Sequence, residues 1–234
     1  MAFSVGFVTG VTPDKWARVW RQRETEELNL SLVESSRQEE LLLTGATDVC
    51  FVRLPVDRSR FHCIPLYREV PVVVVPLEHV VTAYDEVELA DLADEQLVLG
   101  DVPNWDDVST VEQLTFPSMS VKEAIEVVAS GTGIVIVPMS LARLHHRKDV
   151  EHRPVRGVPD TEIGLAWLLD NDDPRIQTFI GIVRGRTDNS SRAPAKAEPS
   201  TKGAPQKPAK KTAAKRTGQP ARRRATPKPS KRRR

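Results

Sequence analysis

The sequence predicts an α/β fold of two similar lobes, followed by a cationic tail of a different kind, on three observations. The first is residues 44–55, TGATDVCFVRLP. Gly45 stops a helix, Asp48 sits in a short connection, and Val49-Cys50-Phe51-Val52 form a strand with Arg53-Leu54-Pro55 at its carboxyl end. A strand that is apolar on both faces is buried between layers, as in a parallel α/β sheet. Ligands of such sheets sit outside the carboxyl ends of the strands. The second observation is residues 120–138, SVKEAIEVVASGTGIVIVP, which repeat the grammar of helix, glycine-rich stop, apolar strand and proline. Two such units imply two lobes with a cleft between them. The third is the charge. Of 34 basic and 32 acidic residues, 17 basic residues but only the acids Asp188 and Glu198 fall in 186–234. Residues 1–185 are therefore near −13 and the remainder near +15, an asymmetry that marks an interaction tail.

The elements follow in order. Residues 3–8 read as the first strand, and Thr12 and Pro13 as the cap and first position of a helix carrying Trp16, Val19 and Trp20. The i, i+4 spacing puts both tryptophans on one face, for core packing or for a dimer contact. Residues 29–35 alternate as a second strand. Ser36 and Glu39 suggest a capping box for a helix over 38–44, and the apolar strand follows. Residues 61–66 and 70–76 are two extended pieces broken at Tyr67-Arg68-Glu69, as expected where the chain passes between lobes. Residues 96–99 read as a short strand, and 111–119 as a strand broken by Pro117. The 120–128 helix, the 134–137 strand and a short helix over 139–145 come next. Val155 and then residues 162–169 restore a strand, and Asp173-Pro174 cap a last helix to Arg184. This alternation gives an open sheet, since a closed (β/α)8 barrel needs about 250 residues. The expected division is a body over 1–185, with a first lobe over about 1–69 and 153–185 and a second over about 70–152. The segment 186–234 lacks aromatic residues and Leu, Ile, Val and Met, so it has nothing to bury against the entropy of ordering and is predicted to be disordered.

Several function classes are excluded. No apolar run reaches the ~20 residues of a membrane span. The start, MAFSVGFVTG, has no basic region of a secretory signal and passes directly into a strand, so a cytoplasmic protein is expected. Cys50 and Cys63 fit neither a disulfide framework nor a metal-ligand spacing and read as packing residues. His145 and His146 are adjacent, hence on different helical faces, and with His152 they read as solvated. No Gly-x-Ser-x-Gly elbow, P-loop or dinucleotide fingerprint occurs, and Gly131-x-Gly133 precedes a strand instead of opening a helix. The sequence predicts no enzyme, no cofactor and no metal.

Six segments in order carry a family resemblance. They are Thr47-Asp48-Val49-Cys50-Phe51-Val52-Arg53 with Pro55; Pro65-Leu66-Tyr67-Arg68-Glu69 leading to Val72-Val73-Val74-Val75-Pro76; Leu89-Ala90-Asp91-Leu92-Ala93-Asp94-Glu95; the run from Val127 through Gly131-Thr132-Gly133 to Pro138; Ser140-Leu141-Ala142-Arg143-Leu144; and Gly164-Leu165-Ala166-Trp167. From Phe3 to about Arg184 the chain resembles the effector-binding domain of LysR-type transcriptional regulators. The resemblance implies a two-lobed fold like that of type II periplasmic binding proteins. It also implies a small-molecule effector in the interlobe cleft. Carried onto this chain, the contacts fall at Thr9, Gly10, Val11 and Thr12, at Arg53 and Pro55, at Ser120 and Val121, and at Thr132. Family members carry a winged helix-turn-helix and a linker helix ahead of this domain, whereas here the first strand begins at residue 3, so promoter reading through that module is not expected. The family's helix between the strands near 97 and 118 is also shortened here to residues 100–115.

The residues give that site its own chemical sense. Helix N-termini near Thr12 and Ser120 offer unpaired N–H groups to an anion, and Arg53 offers a bidentate contact to a carboxylate. The competing reading is that Thr12 and Ser120 are caps and that Arg53 pairs with an acid of this acidic body. In the tail, Lys210, Lys211, Lys215, Arg216, Arg222, Arg223, Arg224, Lys231, Arg232, Arg233 and Arg234 are spaced by Pro and Ala. They look like the tails of linker histones and some bacterial nucleoid proteins, which neutralise phosphate without reading bases. The expected function is therefore a transcription-associated effector-binding protein, cytoplasmic or nucleoid-associated, whose partners are a small effector, DNA held non-specifically by the tail, and a second copy as a homodimer. The alternative is a ligand-binding or protein-interaction module that does not bind DNA.

Overall fold

A computed structural model describes residues 2–100 and 102–185. The expected disorder of 186–234 and the candidate nucleic-acid contacts from Lys210 to Arg234 lie outside the described residues. The first lobe opens with β1 (Phe3–Val8), α1 (Asp14–Arg23), β2 (Leu28–Val33), α2 (Gln38–Leu43), β3 (Val49–Arg53) and β4 (Phe61–Glu69). The chain then crosses to β5 (Pro71–Pro76), β6 (Val87–Glu88), α3 (Trp105–Val108), α4 (Val121–Ala129), β7 (Val135–Pro138), α5 (Met139–Leu144) and β8 (Val150–Arg156). It returns for β9 (Thr161–Leu168) and α6 (Pro174–Val183).

Two sheets result, ordered β2-β1-β3-β9-β4 and β6-β8-β5-β7. In the first, β1 runs parallel to β2 and β3, as expected, but β9 lies antiparallel between β3 and β4. The sheet is mixed because its fourth strand arrives from the other lobe and not over a helical crossover. The return also comes later than expected. Val155 and Arg156 pair with Val87 and Glu88 in the second sheet, so the chain goes back after Arg156 and not at 153. The alternating, half-polar run Val150–Arg156 hid this strand in the sequence. Residues 96–99 contribute only the single bridge Leu97↔Ile134. Residues 111–119 form no strand. Two glutamines tie them down instead: Gln96 donates to the Glu112 carbonyl and accepts from Leu114 N, and Gln113 accepts from Leu97 N.

The apolar strands behave as read. In β3, Val49 and Phe51 enter the core under α1 and α6, while Cys50 and Val52 enter a second core under α2. In β5, Val72 and Val74 face α4 and α5, while Val73 and Val75 face the packing of Leu89, Leu92 and Trp105. Trp16 and Trp20 are 8% and 1% exposed, and they stack on Phe51 at 4.5 Å and on Phe3 at 5.0 Å. Core packing therefore accounts for both rings. Offset aromatic pairs of this kind add about 0.5–1.5 kcal/mol each beyond area burial.

Two expected caps are absent. Pro13 occupies the cap position of α1 with no side-chain hydrogen bond, and Thr12 is exposed. A 3-10 turn, Ser35–Arg37, precedes α2, and Arg37 pairs with Glu40 at 3.1 Å where a Ser36–Glu39 box was expected. Ser120 does cap α4, reciprocally with Glu123, and Asp173 caps α6. Among the described residues no helix is long and apolar enough to cross a membrane.

Candidate functional site

The carboxyl ends of β1, β2 and β3 and the amino end of α4 converge on one cleft, because the parallel strands of the first lobe all end on the side that faces the second. The loop after β1 makes the close approach. Gly10 has φ +97°, and a Cβ there would stand 2.4 Å from Ser140 Oγ on α5. A glycine is needed both for the backbone angle and for the space.

Two adjoining cavities occupy the cleft. The larger, about 840 Å³, is lined by Thr9, by Leu32, Glu34, Ser35 and Ser36 after β2, by Arg53, and by Ser120, Val121, Lys122 and His145 of the second lobe. The smaller, about 570 Å³, takes Gly10, Val11 and Thr12 with Phe7, Ser140 and Arg143. Thr9, Leu32 and Leu144 line both. The lining of the larger cavity includes Arg53, Lys122 and His145 with the acid Glu34.

Arg53 is held before any ligand arrives. Its Nη2 donates to Glu69 Oε2 at 2.9 Å and to the Thr9 carbonyl at 3.3 Å, and its Nη1 donates to Ser35 Oγ at 3.3 Å. The Glu69 side chain is 5% exposed and that of Arg53 16%, so this is a mostly desolvated ion pair joining the ends of β3 and β4. Arg53 Nε and Ser140 Oγ are buried without a hydrogen-bond partner among the described residues. A buried donor without an acceptor is costly, and such atoms are commonly completed by water or ligand.

Ser120 is engaged as a cap. Its Oγ accepts from Glu123 N at 3.3 Å, and the Glu123 carboxylate accepts from Ser120 N at 2.7 Å. The helix end therefore presents an acid of its own beside the cavity. Those bonds hold the Glu123 carboxyl below the usual carboxylate range. His145, expected to be solvated, lines the larger cavity, where burial and then the Lys122 charge push its imidazole down from 6.5.

Of the nine residues expected at the site, Thr9, Arg53, Ser120 and Val121 line the larger cavity, and Thr9, Gly10, Val11 and Thr12 the smaller. Pro55 and Thr132 line neither. Thr132 follows the carboxyl end of α4, the opposite end from the cleft, and its hydroxyl lies 3.3 Å from Ser130 Oγ. Lys122, His145, Arg143 and the 34–36 turn were missed. The turn was findable, since it follows the carboxyl end of a strand parallel to β1.

The cysteines take no part. Cys50 and Cys63 pair with Ala166 from opposite sides, two strands apart. Their Cα atoms are therefore about 9–10 Å from each other, beyond the ~7 Å that a disulfide spans. Burial pushes the Cys50 thiol up to about 12 from 9.0, and burial also raises Cys63. Ellman's reagent at pH 8 is expected to modify Cys50 of the native chain about a thousandfold more slowly than free cysteine, and both thiols at once on unfolding. Among the described residues no group of three or more His, Cys, Asp or Glu would hold a metal ion.

A family model described as "LysR substrate binding domain" matches residues 2–188. The HTH-type transcriptional regulator AlsR of Bacillus subtilis (strain 168) is 27% identical over 194 residues, covering 76% of this chain and 64% of that protein. The chain thus spans under two thirds of that relative's length. The reduced OxyR regulatory domain from Pseudomonas aeruginosa superposes with a TM-score of 0.62 at 25% identity, covering 78% of this chain and 96% of that one. The BenM effector binding domain, solved with its effector benzoate, gives 0.64 at 21% identity, covering 79% and 90%.

Proposed function

The chain belongs to the LysR substrate binding domain family, and from that premise we propose that it is the effector-receiving body of a transcription-associated protein, taking a small anionic ligand in the interlobe cleft and DNA through its cationic tail. One observation carries the ligand half. Arg53, Lys122 and His145, contributed by both lobes, line one cavity of about 840 Å³. A carboxylate placed there pairs with Lys122 of the second lobe and with the Arg53 guanidinium of the first. It draws the lobes together because its partners stand on both. Thr9, Gly10, Val11 and Thr12 form the floor of the adjoining cavity and admit the ligand's remaining body, while Pro55 and Thr132 stand aside.

The test is thermal unfolding of the full-length chain against straight-chain carboxylates, succinate and benzoate. At least one acid is expected to raise the melting temperature saturably, its amide or alcohol analogue to fail, and Lys122→Gln to weaken the effect. Equal stabilisation by acid and amide would contradict an anion site. The pH dependence follows from His145. An anion beside it raises the pKa that burial and Lys122 depress, so ligand and proton bind together. Affinity is expected to be flat at alkaline pH and to rise as pH falls through the pKa of the liganded imidazole. It levels off below the pKa of the empty site, which lies under 6.5.

The tail half rests on composition alone. Seventeen Lys or Arg against two acids in 186–234 supply phosphate-neutralising charge without a means of reading sequence.

A further inference from the structure

We propose that the ligand of the interlobe cleft is a monocarboxylic acid with an unbroken apolar body, and that Leu32 and Leu144, one from each lobe, select for that body. The inference rests on the anion site proposed above and adds what the rest of the ligand must be. Leu32 lies in β2 and Leu144 ends α5, and both line the larger and the smaller cavity, so they stand where the two meet. They are 65% and 57% exposed, large apolar side chains that the fold itself leaves uncovered. A leucine exposed singly is ordinary surface. Two of them, from opposite lobes and at the junction of two cavities, form an apolar passage.

Strand register decides the company that Leu32 keeps. Phe7 pairs with Leu32 on one side and with Phe51 on the other, all in parallel strands. Paired residues share a face of a sheet and alternate residues return to it, so Phe7, Leu32 and Arg53 rise from the same face of the first sheet. Across the cleft, Ser140 and Leu141 precede Leu144 by four and three residues, which puts all three on one side of α5. Polarity is graded between the cavities. Arg53 and Lys122 line only the larger, whereas the smaller presents more apolar than polar surface, with Phe7, Val11, Leu32 and Leu144 in its wall. A carboxylate held at Arg53 and Lys122 therefore sends its body between the two leucines. Arg143 also lines the smaller cavity, but its side chain is exposed, and an exposed ion pair gains little. A second carboxylate would give up hydration on passing the leucines and recover little of it there.

The experiment is calorimetric titration of the full-length chain with butanoate, hexanoate, adipate and 1-hexanol, at a salt concentration that screens the cationic tail. Hexanoate is expected to bind roughly tenfold more tightly than butanoate, since each buried methylene is worth about fourfold. Adipate, which has the same length but ends in a second charge, is expected to bind no more tightly than butanoate. Leu32→Ser and Leu144→Ser, at positions too exposed for the fold to depend on them, are each expected to cut the hexanoate-to-butanoate ratio at least about threefold. Equal affinities of the two monoacids, a ratio that survives both substitutions, or adipate as tight as hexanoate would overturn the selection by Leu32 and Leu144 and leave the anion site standing. Hexanol as tight as hexanoate, or no saturable binding of any acid, would remove the anion site and this inference with it.

Discussion

Arg53→Gln is expected to cost the chain about 3–5 kcal/mol of stability and all of its selectivity for anions, and adding Glu69→Gln is expected to return most of the first but none of the second. The two losses have different origins. Glu69 is buried, and Arg53 Nη2 at 2.9 Å is the cation that compensates it. Without the guanidinium, a desolvated carboxylate is stranded at the end of β4. Neutralising Glu69 as well removes the stranded charge, and two amides of similar size fill the space. The same guanidinium holds the Thr9 carbonyl and Ser35 Oγ, which places the post-β1 loop and the turn after β2 around the cavity. Chemical denaturation and carboxylate binding on the single and double variants separate these roles. If the double variant regains both stability and anion selectivity, Arg53 is only a structural partner of Glu69. That was the competing expectation from the sequence, and the ligand's counter-charge would then have to be Lys122.

Deleting residues 186–234 is expected to abolish binding to double-stranded DNA of arbitrary sequence, together with its salt dependence. Log affinity of the full chain is expected to fall with log salt at about −0.9 per phosphate engaged. Engagement of about six to ten phosphates by the 17 cations would lose about 10³–10⁵ in affinity between roughly 50 and 200 mM salt. Scrambling the DNA sequence is expected to change nothing, because phosphate contacts carry no base information. Residues 1–185, near −13, should repel DNA, so retention of binding and slope by that fragment would refute the assignment. Fluorescence anisotropy over a salt series measures both.

How much of this was legible depended on how local the signal was. The two-faced apolar strands β3 and β5 announced themselves, because burial on both faces leaves a run with no polar alternation. Arg53 could be placed at a strand end, where ligands of such sheets sit, whereas Thr9, which also lines the cleft, came from the family resemblance. Non-local facts were not legible. Nothing in Thr161–Leu168 tells that it inserts antiparallel between β3 and β4, since that place is set by where the chain re-enters from the second lobe. Thr132 and Ser120 stand at opposite ends of α4, and only the packing of the lobes decides which end meets the cleft. His145 read as solvated, and Lys122 drew no reading, for a similar reason: a charged residue next to a cap or after a short helix is ordinary surface until a second lobe faces it. The irregular 111–119 segment defeated strand rules because side-chain amides and not a ladder hold it.

The most direct measurement is the set of backbone amide shifts of the ¹⁵N-labelled full-length chain, titrated with whichever carboxylate raises its melting temperature most. The expected result is one saturating set of shifts that joins Thr9, Ser35 and Arg53 of the first lobe to Val121, Lys122 and His145 of the second. Shifts confined to a single lobe, or to residues away from these six, would contradict an anion site between the lobes.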